Sequence, residues 1–399
     1  MVHKVSNSTM AIAEVDKNEN MIKTKNSLNV SDEKPRDFPA ELPGPEYKLE
    51  LVWRNIIIFA LLHIGYVAAF FIDKFTITKV FGVVYGICGG FGITAGAHRL
   101  WAHNSYKTNT AYKIMLLIFQ TIAFQNSAYE WTRDHRVHHK FTDTNADPHN
   151  ARRGFFFSHM GWLLCKKHPD VKKFGARVSM ADLEADPIIM FQHRHYLKLM
   201  LFFSLILPVF IPWYFWGESF WASFLIAGVL RYITSLHITW LINSAAHTYG
   251  MKPFDKNISP SDSYLVGFLA MGEGWHNYHH VFPYDYKTSE LGFYVFNLTT
   301  AFIDFFSLFG WTYDLKTVSP EMIRRRVLRT GDGSHPASKE MDTKELLNKF
   351  ILSQAIDKNG NIIHNEEDSI WGFNDEMLPA EDRKYIKIIN KHSNLKKRN

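Results

Sequence analysis

The pentapeptide His-x-x-His-His occurs twice in the chain, at His135, His138 and His139 and at His276, His279 and His280, and a further pair stands upstream at His98 and His103. Residues three and four apart on a helix share a face, so each pentapeptide can present its ring nitrogens to one point. A ninth histidine, His247, closes the run Asn-Ser-Ala-Ala-His, with Asn243 four residues before it on the same helical face. Imidazole suits iron, zinc, copper and nickel alike, so the pattern specifies a metal centre before it specifies the metal. Nine nitrogen donors exceed the roughly four to six that one ion takes, and two metals sharing them, four or five histidines each, is the economical reading. Structural zinc would use a closed site, often with Cys, and has no need of so many donors. Two irons with open positions can bind and reduce O2, giving an oxidant able to attack an unactivated C–H bond.

Such a site needs elements to hold it. Aromatic residues make up 15 % of the 399-residue chain, with 32 Phe and 11 Trp, which favours a membrane domain with polar tails over several soluble domains. Four stretches are apolar over the ~20 residues that cross a bilayer: Trp53 to Ile72, Val80 to Ala97, Leu197 to Trp216, and Phe220 to Ile242. They pair into two hairpins, and the segment between the hairpins is dense in Arg and Lys, so it and both termini are expected on the cytosolic side. The histidine clusters then all fall on that side. Two further apolar stretches, Ile114 to Phe124 and Phe293 to Phe309, read as interfacial or docked helices, since letting only one of them cross would split the clusters. A site beside the bilayer and fed by apolar helices points to a lipid chain as substrate.

The ends are polar. Residues 1–46 read as a cytosolic N-terminal tail without a signal peptide, 47–330 as the membrane and cap domain, and 331–399 as a partly disordered cytosolic tail. Two cysteines, Cys88 and Cys165, imply no disulfide framework. A net charge of +6 without an aromatic-interleaved basic motif argues against nucleic acid. The sequons at Asn7, Asn29, Asn257 and Asn297 would matter only in a lumen, where the topology does not put them. Lys396 and Lys397 resemble a dilysine retrieval signal of endoplasmic-reticulum membrane proteins.

Five runs carry a resemblance: GITAGAHRLWAH from Gly92, QNSAYEWTRDHRVHHK from Gln125, NADPHNARRGFFFSHMGW from Asn145, NSAAH from Asn243, and GEGWHNYHHVFP from Gly272. Together they resemble the membrane-bound fatty acyl-CoA desaturases, in particular the stearoyl-CoA or Δ9-type branch and its insect members, over Tyr47 to Gly331. The resemblance implies an all-α integral membrane protein, with four transmembrane helices under a cytosolic helical cap that holds a di-iron centre. It implies a double bond placed in a saturated long-chain fatty acyl-CoA with O2 as co-substrate, and electrons from cytochrome b5 and its NADH-dependent reductase, in the endoplasmic reticulum membrane. His98, His103, His135, His138, His139, His247, His276, His279 and His280 would be the ligands of two Fe, and Asn243 would reach one iron through water. Asp134, Asp143 and Glu273 are candidates to orient ligand rings. Asn55, Asn126, Arg133, Asp134, Lys166 and Lys167 match positions that grip CoA, and Gln125, Trp131, Thr239 and Trp240 match residues lining the acyl tunnel.

Gly82, Gly86 and Gly90 recur every four residues on the second span, a spacing that ordinarily marks close helix packing. Relatives carry a larger residue near Gly86 at the tunnel's far end, so Gly86 and Gly90 are also candidates to set chain length. The remaining histidines, among them His63, His149, His159 and His237, are read as structural or solvated. The alternatives are a desaturase of other regiospecificity such as Δ11, a di-iron fatty-acid hydroxylase, and, outside the enzymes, a histidine-rich metal transporter. A transporter would place its ligands at mid-membrane and often repeat its halves, and these clusters lie beyond the apolar runs.

Overall fold

A computed structural model describes residues 48–290, 293–339 and 369–392. The N-terminal tail with Asn7 and Asn29, and the terminal lysines Lys396 and Lys397, lie outside the described residues. The described chain is mostly helical. Three helices are long and apolar enough to cross a membrane: α2 (Thr76–Ala102), α5 (Pro187–Phe215) and α6 (Phe220–His247). The stretch expected as the first span forms α1 (Trp53–Ala68), an apolar helix of 16 residues. Large apolar side chains on these helices point outward, among them Ile57, Leu61, Ile64, Val83, Leu201 and Phe215. Such a belt is stable against lipid and not against water.

The ends of the helices explain their placement. Asp186 caps α5, its Oδ1 accepting from Ile188 N at 3.0 Å, with Pro187 in the first turn where no N–H is needed. Ser219 caps α6, accepting from Ala222 N at 3.1 Å. Glu218, buried in the short link between them, accepts from Phe75 N and Thr78 Oγ1, both at 2.8 Å. A carboxylate at the start of α2 meets the positive end of its dipole, so this residue ties the second hairpin to the first.

Two differences from the expected spans bear on the site. The second and fourth spans do not stop where their apolar runs stop. α2 runs on through wide π-helical turns over Gly92–Ala102, and α6 continues to His247, so His98 and His247 ride on the spanning helices themselves. The two ambiguous apolar stretches form α3 (Thr110–Ala123) and α8 (Leu298–Leu308), of 14 and 11 residues, too short to cross. α3 lies against α2, where an added Cβ at Gly92 would come within 2.0 Å of Gln120 N. Only glycine permits that approach.

Between them, α4 (Ala128–Lys140) carries the second histidine cluster and α7 (His276–Val281) the third. Ser127 caps α4, accepting from Glu130 N at 3.2 Å. Two small antiparallel pairs join distant parts of the described chain: β1 (Lys107–Thr108) with β2 (Thr312–Tyr313), and β3 (Leu315–Val318) with β4 (Ile386–Ile389). The second pair docks chain from the expected C-terminal tail onto Leu315–Val318.

Candidate metal centre

The nine histidines separate into two sets. His98, His103, His135, His139 and His279 bring one ring nitrogen each to within 4.8 Å of one another, and His138, His247, His276 and His280 do the same around a second point. The split crosses the sequence clusters, since neighbours His138 and His139 serve different sets. Within the first set, the Nε2 atoms of His98 and His279, and of His103 and His135, lie 2.9 Å apart. Within the second, His276 Nε2 lies 3.0 Å from that of His247 and 3.2 Å from that of His280.

What stands behind the rings determines what faces forward. His103 Nδ1–H donates to the carbonyl of Trp371, and His138 Nδ1–H donates to Asp147 Oδ2 at 2.9 Å. His98 Nδ1 lies 2.8 Å from Glu273 Oε2, and His247 Nδ1 lies 3.1 Å from Ser259 Oγ, whose hydroxyl donates to Asp143. The contacts behind His103, His138 and His247 hold the proton on Nδ1 and leave an Nε2 lone pair directed at its neighbours, and Glu273 stands within ion-pair distance of His98 Nδ1. Lone pairs converging at about 3 Å repel unless a cation lies between them, so the donor set fits metal ions.

Electrostatics agree. Burial holds His138 down to about 4 and pushes His103, His135, His139, His276, His279 and His280 well below the ordinary histidine range. These imidazoles are neutral at pH 7, as ligation requires. Burial raises Asp147 to about 6. Burial would raise Glu273 too, but the Arg99 guanidinium outweighs it and holds that carboxyl below its usual range.

Of the three acidic residues expected behind the rings, Glu273 and Asp143 stand there, while Asp134 pairs with Arg133 at 3.1 Å and with Lys167. Two partners were not anticipated: Asp147, nine residues after His138 in the run NADPHN, and the Trp371 carbonyl. Asp147 also accepts from the backbone N–H of Asp143 at 2.9 Å and of His149 at 3.0 Å, so the acidic group beside His138 and His149 serves ring orientation.

A cavity of about 650 Å³ reaches the histidines at His98, His135 and His276 and runs along α2 past Gly90, Gly86 and Gly82 toward Lys79 and Lys74. The three glycines line this space. Close packing against α3 is made instead by Gly89 and Gly92. An added Cβ at Gly86 would meet only Arg231 Cγ, at 3.4 Å, whereas one at Gly90 would meet Met271 Cε at 2.3 Å. Trp131, Thr239 and Asn243 also line the cavity, and Trp131 stacks on His135 with ring centres 4.8 Å apart. Gln125 donates to Thr239 at 2.9 Å. Trp240 is buried against Phe59, His159 and His237.

The residues matched to CoA positions are held by contacts with one another or with other polar groups of the chain. Asp134 draws Arg133 and Lys167 together, Lys166 pairs with Glu50 at 2.6 Å, and Asn55 donates to Leu163 O at 2.7 Å. Asn126 takes a positive φ of 68°, and its carbonyl accepts from Gln120 at 2.7 Å.

Residues 74–294 match the family model for fatty acid desaturases. The acyl-CoA Delta12-desaturase of Acheta domesticus is 55% identical over 293 residues, 72% of this chain and 82% of that protein. The acyl-CoA Delta-9 desaturase of the same species is 53% identical over 358 residues, 87% of this chain and 90% of that protein. The human stearoyl-CoA desaturase is 53% identical over 296 residues, 73% of this chain and 82% of that protein.

Proposed function

Because the chain belongs to the fatty acid desaturase family, and is an oxidoreductase acting on acyl-CoA, we propose that it places a cis Δ9 double bond in saturated long-chain acyl-CoA, using O2. The observation that carries this reading is the partition of nine histidines, seven of them buried, into sets of five and four at the head of an apolar cavity. Two irons held there would supply an oxidant, made from O2 and electrons, strong enough for an unactivated C–H bond.

The chain's own residues do the rest. Asp147, Asp143 through Ser259, and the Trp371 carbonyl hold protons on the far nitrogens of their rings, and Glu273 stands beside that of His98, so the donors need no reorganisation. Trp131, stacked on His135, and Thr239, held by Gln125, shape the cavity wall where an acyl chain passes the centre and exclude water from it. Asn243, which lines the same cavity, would reach one iron through water. Arg133, Lys166 and Lys167 are assigned the phosphates of CoA, with Asn55, Asn126 and Asp134 positioning the same group. Without a haem or flavin motif in the chain, electrons are assigned to cytochrome b5 and its NADH-dependent reductase.

We place the protein in the endoplasmic reticulum membrane with α1 as a fourth span and both termini cytosolic. The Arg- and Lys-rich segment between the hairpins supports that orientation. The Δ9 position is supported by the identities over matches that span 87% of this chain, 53% to the Delta-9 desaturase of Acheta domesticus against 47% to the Delta-12 desaturase of Tribolium castaneum. The 55% identity to the Delta12-desaturase of Acheta domesticus favours a second reading, desaturation at Δ12. Expression in a desaturase-deficient yeast, followed by fatty-acid profiling, separates them. Palmitoleate and oleate are expected with growth restored; Δ12 dienes formed only when oleate is fed, with no palmitoleate or oleate made from saturated chains, would establish the Δ12 reading, and hydroxylated products would overturn desaturation.

A further inference from the structure

Residues 369–378 lie outside the stretch that matches the family model, in a part of the chain that composition marks as tail. They nevertheless reach the metal centre. His103 is gripped at two points by neighbouring residues: its Nδ1–H donates to Trp371 O, and its own carbonyl accepts from Phe373 N at 3.0 Å. Between these points stands Gly372, where an added Cβ would come within 2.5 Å of His103 O, so the approach requires glycine.

The same segment holds α4, which carries His135, His138 and His139. The Trp371 indole covers the Arg136 guanidinium at 4.0 Å, and Lys140 donates to Ser369 O at 3.0 Å and pairs with Asp375 at 3.1 Å. Asp375 in turn accepts from Trp371 N at 2.8 Å, which sets the turn that presents the carbonyl. β4 anchors the segment's far side on β3. Ile370, Trp371, Asp375 and Leu378 are buried.

We propose that residues 369–378 form a strap that is part of the metal centre: Trp371 O positions His103 and the flanking contacts lock its cluster to that of α4. The strap is a positioning element, since it touches His103 and α4 and none of its residues lines the cavity. The inference rests on the reading that the five-histidine set holds a metal.

The test uses the full chain, loaded with iron, and measures iron per chain and the half-time of iron loss to a chelator. Wild-type protein holding two irons supports the underlying reading, and wild-type protein holding one or none refutes that reading independently of the strap. Gly372→Val, which forces the strap off His103, is expected to shorten the half-time for one of the two irons roughly tenfold or more, in line with the loss of a ring-orienting partner. Trp371→Phe, which keeps the backbone carbonyl, is expected to retain both irons. Val229→Ala, in a buried cluster that α6 forms with α1 and that holds none of the nine histidines and no strap residue, is expected to lower the melting temperature without changing iron loss. The strap is overturned if Gly372→Val holds both irons as wild type does. It is equally overturned if Val229→Ala sheds iron as fast as Gly372→Val at a comparable melting temperature, since general loosening would then explain both.

Discussion

Replacing Glu273 separates the stability of the centre from its geometry. Glu273 is 4 % exposed and serves two masters: Oε1 accepts from Arg99 Nε at 3.0 Å and from its NH2 at 2.8 Å, while Oε2 faces His98 Nδ1. Arg99 is fully buried, and its other partners, Tyr286 O, Thr300 Oγ1 and Asn297 Oδ1, are neutral. Glu273→Ala therefore leaves a buried guanidinium without its counter-charge, at a cost of about 3–5 kcal/mol. That is a large part of the roughly 5–15 kcal/mol that holds a domain together. The same change frees His98 Nδ1, and loss of such a partner weakens metal binding by roughly 10–100-fold.

The second variant is Glu273→Ala with Arg99→Leu, which removes both charges. Replacing a buried pair with apolar residues is often neutral, so unfolding of this double variant in detergent should return to within about 1–2 kcal/mol of wild type. Its iron should remain easily lost, because His98 is still unsupported. Denaturant unfolding gives the first quantity and chelator competition the second. A single variant within about 1 kcal/mol of wild type, or a double variant that regains tight iron, would refute the assignment of the two roles to Glu273.

Other consequences are as direct. His138→Ala or His279→Ala is expected to abolish desaturation, and His237→Ala to leave it measurable; fatty-acid profiles of expressing yeast check this, and the reverse pattern would mean the site is misplaced. Gly86→Tyr should shift preference toward shorter acyl-CoAs with iron content preserved, because Gly86 lines the cavity and an added Cβ meets only Arg231; a uniform loss with every chain length would retire the chain-length role. For metal-free protein, the unfolded chain binds protons to His138 below about 6.5 while the buried ring resists until about 4, so stability falls with acidification through that window, by about 3 kcal/mol from His138 alone. Unfolding at a series of pH values measures it, and a flat profile would contradict the burial argument. Asn297 should carry no glycan in microsomes, since its side chain is buried and its Nδ2 donates to Lys287 O at 2.7 Å; a mobility shift on endoglycosidase treatment would contradict this.

Much of the site was legible because imidazole spacing on helices encodes geometry. The three clusters and His247 are short-range patterns, and the match to a helical face places them without tertiary knowledge. How they divide was not legible, because His138 and His139 point to opposite sets, and that depends on how α4 sits between α2, α6 and α7. The apolar runs located the helices but not their ends: His98 lies on α2 because the π-helical turns carry the backbone on past the last apolar stretch. The glycine spacing serves both readings, since Gly82, Gly86 and Gly90 line the cavity while Gly82 also packs on Ile226 and Ala227 of α6, and contact with α3 is made at Gly89 and Gly92. Asp147 stood in a quoted run without any mark distinguishing it from other loop acids. The strap was the least legible, because a backbone carbonyl has no residue type, and Trp371 is separated from His103 by 268 positions in a segment whose composition signals a tail.

Iron stoichiometry tests the central claim most directly. Purified, active protein analysed for metal alongside His279→Ala, from the five-histidine set, and His276→Ala, from the four-histidine set, should give close to two irons per chain for the native protein and close to one for each variant. Full activity with one iron per chain, or two irons retained in both variants, would contradict a centre built from two histidine sets.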